Sequence, residues 1–277
     1  MVESKIVFIT GCSTGIGYAA TVELKRRGHR VICSARKDQD VARLQSEGFE
    51  ALQLDLSESD SILNAVKQLL VLTDGKIDAL FNNGAFGQPG AVEDLSRDVL
   101  RHQFETNLFG THELTNLILP VMRKQGYGRI IYNSSILGFV AMKFRGAYNS
   151  SKFALEGLVD TLRIELYGTN IKLCIIEPGP ITSNFRKNAF ALYKKNINPE
   201  LSFHKTTYQL MEERLQKEGP AASFTLPADA VVEKLIHALE SKRPKIRYYV
   251  TFPTYLFGFL KRILPSSWLD YLLRKVQ

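Results

Sequence analysis

The chain has 277 residues, of which 45% are hydrophobic and 23% are charged, as in an ordinary globular protein. Its net charge is +8, but the segment from Ser241 onward alone carries +7, so the preceding 240 residues are almost neutral at +1. A positive charge confined to the C-terminal segment argues against nucleic-acid binding by the whole protein.

The chain has an odd number of cysteines, namely Cys12, Cys33 and Cys174. Two of the three lie in apolar runs of strand length. We expect buried reduced thiols, not a disulfide framework or a metal site. The apolar run at residues 6–9 is too short for a secretory signal. These features predict a cytoplasmic location.

No linker rich in proline, glycine or serine is present, so residues 1–277 are predicted to form one domain.

Apolar runs of strand length alternate with helical patterns along the chain. The predicted strands are residues 5–10, 30–35, 50–54, 78–82, 128–134, 171–177 and 246–250. The predicted helices are residues 15–27, 39–47, 57–72, 96–125, 146–167 and 227–240, with Ser57 as an N-cap and Pro120 as a kink or break. This alternation predicts an α/β fold, a Rossmann-type doubly wound parallel sheet of about seven strands with helices on both faces. Such sheets bind ligands beyond the carboxyl ends of their strands.

A glycine-rich turn follows the first predicted strand and precedes a helix. Glycines allow the backbone to approach a pyrophosphate closely, and the helix N-terminus adds free N–H groups. The alternative is a tight turn without a ligand. The strand before the turn and the helix after it favour a dinucleotide. The candidate cofactor-binding residues here are Gly11, Ser13, Thr14, Gly15, Ile16 and Gly17.

The end of the second predicted strand lacks the acidic residue that is typical of NAD sites. Two cations, Arg36 and Lys37, follow that strand. An arginine can pair with a 2′-phosphate, which an acid would repel, so this position favours NADP(H) over NAD. The alternative is a solvated pair of cations in a loop.

Seven motifs in order resemble the short-chain dehydrogenase/reductase family over residues 5–245. Residues 10–17 match TGxxxGxG, and residues 82–85 match NNAG with its two small residues exchanged. Residues 107–110 match NxxG, and Tyr148 to Lys152 match YxxxK, with Ser135 at the family's distance before the tyrosine. The pair Asp55-Leu56 and the loop of residues 178–181 complete the set. Thr14 departs from the basic residue that many NADP-dependent members carry there.

The resemblance implies a catalytic tetrad of Asn107, Ser135, Tyr148 and Lys152. It implies that Tyr148 is the general acid/base, that Ser135 binds the substrate oxygen and that Asn107 anchors a water. Because Tyr148 and Lys152 are four residues apart, they share a helix face, and a nearby ammonium would lower the pKa of the phenol. Lys152 would also hold the nicotinamide ribose. The further implied cofactor contacts are Asp55, Leu56, Asn83, Gly84, Pro178, Gly179 and Ile181.

Within the family, residues 151–157 resemble the 17β-hydroxysteroid and retinol dehydrogenase group, and the whole chain resembles bacterial aldehyde reductases. Residues 183–226 correspond to the family's variable substrate lid. Their six aromatic residues suit a lipophilic carbonyl, or alternatively pack on the core: Phe185, Phe190, Tyr193, Phe203, Tyr208 and Phe224.

The C-terminal extension, residues 246–277, mixes aromatic and basic side chains. Its longest apolar run is too short to span a bilayer, so it fits a peripheral membrane contact, a cap over the substrate pocket or a subunit contact. The family also implies a homodimer or homotetramer. The sequence thus predicts an NADP(H)-dependent reductase of lipophilic aldehydes or ketones. The alternatives are an NAD-linked alcohol dehydrogenase of steroid or retinol type and a catalytically silent NADP-binding sensor.

Overall fold

A computed structural model describes residues 3–217, 219 and 222–275 of the chain. Its centre is a parallel sheet of seven strands in the order β3-β2-β1-β4-β5-β6-β7. The order reverses beside β1, which pairs with both β2 and β4. The strands are β1 (Ile6–Ile9), β2 (Arg30–Ala35), β3 (Glu50–Gln53), β4 (Ala79–Asn82), β5 (Gly128–Asn133), β6 (Ile171–Glu177) and β7 (Arg247–Tyr249). The predicted fold class is therefore confirmed.

Helices cover both faces of the sheet, as expected for parallel strands whose two faces are apolar. One apolar core contains residues of α3, α5 and α6, and a second core on the other face contains residues of α1, α2 and α9. All three cysteines are buried with free thiols. The helices of the two faces are α1 (Gly15–Arg26), α2 (Asp38–Ser46), α3 (Ser59–Leu72), α4 (Arg97–Phe104), α5 (Thr111–Gln125), α6 (Gly146–Glu165) and α9 (Asp229–Glu240).

Two local predictions were wrong. Helix α3 begins at Ser59 and not at Ser57, because the Ser57 hydroxyl donates a hydrogen bond to the Asp55 carboxylate instead of capping the helix. Helix α5 is not broken at Pro120, which lies inside it. The irregularity of the long predicted helix is instead a π-helical segment, Glu105–Gly110, between α4 and α5.

Four further helices lie outside these two layers. Helices α7 (Phe185–Asn196) and α8 (Lys205–Gln216) enclose a third apolar cluster with Ala91 and Ile197. Helices α10 (Phe252–Ile263) and α11 (Ser266–Lys275) follow the last strand. None of the helices in the described ranges combines the length and the apolarity needed to cross a membrane.

Candidate active site

The turn between β1 and α1 is shaped by glycines. Gly11 and Gly15 have φ angles of +71° and +62°, a region that glycine adopts without strain. At Gly17, a Cβ atom would lie 2.3 Å from the Gly11 carbonyl oxygen, so a larger residue would force the turn open. The backbone is thereby free to approach a phosphate group at this point.

The start of helix α1 and the end of β2 fit a dinucleotide. The Thr14 side chain forms no capping hydrogen bond within the described structure, so the N–H groups of the first helical turn keep their capacity to bind an anion. Beyond β2, a surface cavity is lined by both predicted cations together with Asp38, Gln39 and Gln53. Arg36 and Lys37 are exposed there, within reach of a ligand.

The ends of β3 and β4 place the next predicted residues along the same sheet edge. Asp55 is held by hydrogen bonds from the backbone and hydroxyl of Ser57. The carbonyl of Leu56 lies so close to Gly110 that a Cβ atom there would stand 1.7 Å from it. The Gly84 backbone lies against Gly11, since a Cβ on Gly11 would be 2.7 Å from the Gly84 Cα.

Asn83 connects this edge to the predicted catalytic residues. Its amide nitrogen donates to the Thr10 carbonyl at 2.9 Å, and its amide oxygen accepts from the Asn133 side chain at 2.9 Å. The Asn133 carbonyl in turn accepts a hydrogen bond of 2.7 Å from Lys152 Nζ. A continuous series of hydrogen bonds therefore joins the glycine-rich turn to Lys152.

The π-helical segment positions Asn107. Its side chain accepts from the Phe86 backbone N–H at 3.1 Å and donates to the Phe86 carbonyl at 2.9 Å. It also donates to the Ser151 hydroxyl at 3.1 Å. Asn107 is buried, and π-helical segments frequently mark functional sites. The predicted water between Asn107 and Lys152 stays a prediction.

Helix α6 carries the Tyr148 and Lys152 side chains, and both are buried. Lys152 Nζ lies 5.8 Å from the centre of the Tyr148 ring. On the other side, the Phe185 ring at the start of α7 meets the Tyr148 ring edge-on, with 5.3 Å between the centroids. Ser135, after β5, accepts a hydrogen bond from the Leu137 N–H at 3.1 Å. The structure thus brings the predicted tyrosine, lysine and lid together.

The pKa values of this pair differ from the expectation that the ammonium lowers the pKa of the phenol. Burial raises the pKa of Tyr148 to about 12, and a hydrogen bond with Ser135 opposes that rise. Burial lowers the pKa of Lys152 to about 8, and the Glu156 carboxylate opposes that fall. The reason is that removal from water disfavours each charged form more than the neighbouring side chains stabilise it.

A cluster of charged side chains begins at Glu156, one helical turn after Lys152 on α6. Arg247, at the start of β7, donates hydrogen bonds of 2.5 Å to both Glu156 and Glu177 and one of 2.6 Å to Asp160. The Ser134 hydroxyl donates to the remaining oxygen of Glu156 at 2.6 Å. Burial raises the pKa of Glu177 to about 8.

The loop after β6 holds the last predicted residues, Pro178, Gly179 and Ile181. Ile181 forms a bridge with Leu226, which ties the end of the predicted lid to this loop. Gly179 lies against the C-terminal extension, because a Cβ there would be 2.1 Å from the Thr251 hydroxyl. The extension also reaches the segment after Ser135, where Lys261 donates a hydrogen bond to the Phe139 carbonyl.

Several side chains at this site were not predicted from the sequence, and neither was the contact of Phe185 with Tyr148. These side chains are Asn133, Ser151, Glu156, Glu177 and Arg247. By sequence Arg247 is one of the basic residues of the C-terminal extension, and its acidic partners lie far from it along the chain. A signal was present for Asn133 and Glu177, since both end strands and therefore lie at the edge where ligands bind.

Comparison with known proteins agrees with this geometry. Residues 5–194 match the family model described as short chain dehydrogenase. The chain is 41% identical over 273 residues to the uncharacterized oxidoreductase YbbO of Escherichia coli, covering 99% of this chain and 95% of that protein. It is 30% identical to 3-ketodihydrosphingosine reductase of Bacteroides thetaiotaomicron, covering 98% and 97%. It is 31% identical to human retinol dehydrogenase 8, covering 88% and 80%.

Solved structures share the fold. A short-chain dehydrogenase from Streptomyces avermitilis superposes with a TM-score of 0.76 at 27% identity, covering 94% of this chain and 93% of that one. A Burkholderia phymatum enzyme in complex with NAD gives 0.76 at 22% identity, covering 93% and 92%. A Burkholderia cenocepacia enzyme in complex with NADP gives 0.75 at 19% identity, covering 98% of each.

Proposed function

Because the chain belongs to the short-chain dehydrogenase family and is an oxidoreductase, we propose that it interconverts alcohols and carbonyls with NADP(H) and reduces lipophilic aldehydes or ketones. The observation that carries this proposal is the buried Tyr148, which lies on α6 with Lys152 and packs against Phe185 of the predicted lid. A proton donor is thereby positioned where an apolar segment covers the edge of the sheet.

The cofactor proposal rests on the end of β2. Arg36 and Lys37 line the cavity there, and β2 itself ends at Ala35 without an acidic residue. A guanidinium can hold a 2′-phosphate through two hydrogen bonds. The one carboxylate that lines the cavity, Asp38, follows both cations at the start of α2, so the cations outnumber it there. The solved relatives include an NAD complex and an NADP complex, so the preference of this chain depends on its own two cations. When bound, the nicotinamide supplies or accepts the hydride.

In the reduction, Tyr148 donates its phenolic proton to the substrate oxygen. A pKa of about 12 keeps this phenol protonated at neutral pH, which is the form a proton donor requires. The Ser135 hydroxyl donates a hydrogen bond to the same substrate oxygen. Lys152 uses one of its three N–H donors on Asn133, so two remain to hold the ribose hydroxyls.

The substrate proposal rests on the side chains around Tyr148. Phe185 meets the phenol ring edge-on, whereas Tyr193 and Tyr208 of the lid are fully buried and pack with Phe190 and Met211 in the third apolar cluster. Two relatives are named for the lipids retinol and 3-ketodihydrosphingosine. An apolar lid of this kind favours a long-chain aldehyde, a retinoid or a steroid over a small polar carbonyl, because its contacts grow with the apolar surface of the substrate.

The experiment is an assay of NADPH oxidation at 340 nm with aldehydes and ketones of graded chain length, and NADH in parallel. We expect turnover that rises with chain length and prefers NADPH. Preference for NADH would contradict the cofactor proposal and favour an NAD-linked alcohol dehydrogenase. Tight NADPH binding without turnover of any substrate would favour the catalytically silent sensor.

The proposal includes a cytoplasmic homodimer or homotetramer. Large apolar side chains are exposed along the π-helical segment and α6: Phe109, Phe153, Leu158 and Ile164. Association through these helices would bury them. Sedimentation velocity tests this proposal, and we expect Ile164→Asp to shift the wild-type oligomer to a monomer.

A further inference from the structure

The C-terminal helices expose apolar side chains where a surface helix normally exposes polar ones. Helix α10 buries Thr254, Phe257 and Gly258 against the domain. Its outer face carries a stripe at helical spacing that consists of Phe252, Tyr255, Leu256, Phe259 and Ile263. Helix α11 buries none of its residues and adds Trp268 and Tyr271. We call these seven exposed residues the aromatic face.

Basic side chains accompany the aromatic face. Arg262, Arg274 and Lys275 are exposed on the same two helices, whereas Asp270 is the single acidic residue between Phe252 and Lys275. Aromatic rings with basic neighbours are typical of segments that lie in the headgroup region of a bilayer. The helices have 12 and 10 residues, which is too short to span the hydrocarbon core.

The aromatic face is continuous with the substrate lid. Phe224, near the end of the lid, lies against Phe252 at the start of α10, with 4.9 Å between the ring centroids. The residue before Phe252 packs on the site, because the Thr251 side chain lies against Gly179 in the loop after β6. A surface that held the aromatic face would therefore also hold the edge of the lid.

We propose that the aromatic face of α10 and α11 binds the surface of an anionic lipid bilayer and that the lid takes its lipophilic carbonyl substrate from that bilayer. The aromatic side chains enter the headgroup region, and the three cations pair with lipid phosphates. The delivery of substrate rests on the proposed function, whereas the binding of lipid does not.

The test is flotation with vesicles of phosphatidylcholine alone or with one third phosphatidylglycerol, using the full chain. We expect binding to the anionic vesicles that weakens as salt is added. Phe259→Ser with Trp268→Ser should weaken it about 10-fold or more, because both side chains are more than half exposed and lose little packing. Arg262→Gln with Arg274→Gln should cost about fivefold per cation.

The matched control is Leu63→Ser with Val71→Ser, which removes two exposed apolar side chains from α3. This control should leave vesicle binding unchanged. No flotation of the wild-type protein, equal loss in the control, or dissociation of an oligomer by Phe259→Ser with Trp268→Ser would overturn the proposal. The last result would assign the aromatic face to a second copy of the chain.

A second readout separates lipid binding from catalysis. With a short water-soluble aldehyde, the Phe259→Ser, Trp268→Ser variant should keep its turnover, whereas turnover of a long-chain aldehyde in vesicles should fall with vesicle binding. A failure of turnover with every substrate would count against the proposed function and leave the flotation result standing. If the wild-type protein floats and the variant does not, but both turn over the long-chain aldehyde at the same rate, the delivery of substrate from the bilayer would be overturned.

Discussion

The N-terminal half of the sheet, from β1 to β4, and the C-terminal region, from β6 onward, use the same kinds of side chain in opposite ways. From β1 to β4, apolar side chains fill the two cores, and the polar side chains at the strand ends bond to backbone groups, as Asn83 does with Thr10. From β6 onward, Arg247 donates a hydrogen bond to Glu177 inside the protein, while Phe259 and Trp268 are exposed.

The two regions therefore differ in what determines their structure. Backbone geometry dominates the N-terminal half of the sheet, where close contacts such as that of Gly17 with Gly11 leave room for glycine alone. Side-chain identity dominates the C-terminal region, where charge and exposure set the surroundings of Lys152 and the surface of the extension.

The largest effect is expected at Tyr148. Tyr148→Phe removes the proton donor and should lower kcat by roughly 10²- to 10⁴-fold, while the Kd for NADPH stays within about twofold because the ring is retained. Turnover at 340 nm and fluorescence titration with NADPH measure the two quantities. Near-normal turnover would exclude Tyr148 as the proton donor.

The next effect concerns the charged cluster. Arg247→Met leaves Glu156 and Glu177 without their shared cation and should lower the free energy of unfolding by about 3–5 kcal/mol. Urea denaturation measures this loss. The matched control Arg243→Met removes an exposed arginine near the same strand and should change stability by about 0.5 kcal/mol or less. Equal effects of the two variants would show that the cluster contributes no specific stability.

The cofactor preference should respond to Arg36. Arg36→Ala should raise the KM for NADPH by roughly 10- to 100-fold, the value of a charge-assisted pair, with little change for NADH. Initial rates with both cofactors measure the ratio. Equal losses with NADPH and NADH would refute the assignment of Arg36 to the 2′-phosphate.

The smallest effect is a shift of a pH profile. Because the pKa of Lys152 is lowered to about 8, the ammonium persists below that pH, and kcat/KM for reduction should fall as the pH rises through about 8. The Glu156 carboxylate raises this pKa, so Glu156→Gln should move the alkaline limb to lower pH.

Asp160→Asn is the control for that shift, since Asp160 also pairs with Arg247 but lies one turn further from Lys152. It should leave the alkaline limb in place. The same displacement in both variants would mean that the cluster acts through stability and not through the charge of Glu156.

The sequence predicts the sheet well, because its strands are near-continuous apolar runs bounded by turn residues. Residues 30–35 and 171–177 were predicted with the bounds that β2 and β6 have. Of the predicted tetrad, Ser135 follows β5, whereas Asn107 lies in the π-helical segment and Tyr148 and Lys152 lie on α6. The contacts of Asn107 in the π-helical segment escaped prediction because their partner, the Phe86 backbone, is 21 residues away in sequence.

The electrostatics of the site were predicted less well, for a physical reason. Spacing places Lys152 beside Tyr148 but does not report burial, and burial decides the direction of both pKa shifts. In the same way, the sequence shows Arg247 only as one basic residue of the extension. Its acidic partners come from α6 and β6 and meet it only in the folded protein. Charges that meet across a fold are not visible in composition.

The contact between Gly179 and Thr251 has a consequence for how such chains diverge. A side chain at position 179 needs the space that the Thr251 hydroxyl occupies, so position 179 is not free to vary while Thr251 is present. A substitution in the loop after β6 must be accompanied by a smaller residue, or a displaced helix, in the extension. Homologues with a different C-terminal segment should therefore covary at these two positions, and exchanging tails between them should require exchanging this loop as well.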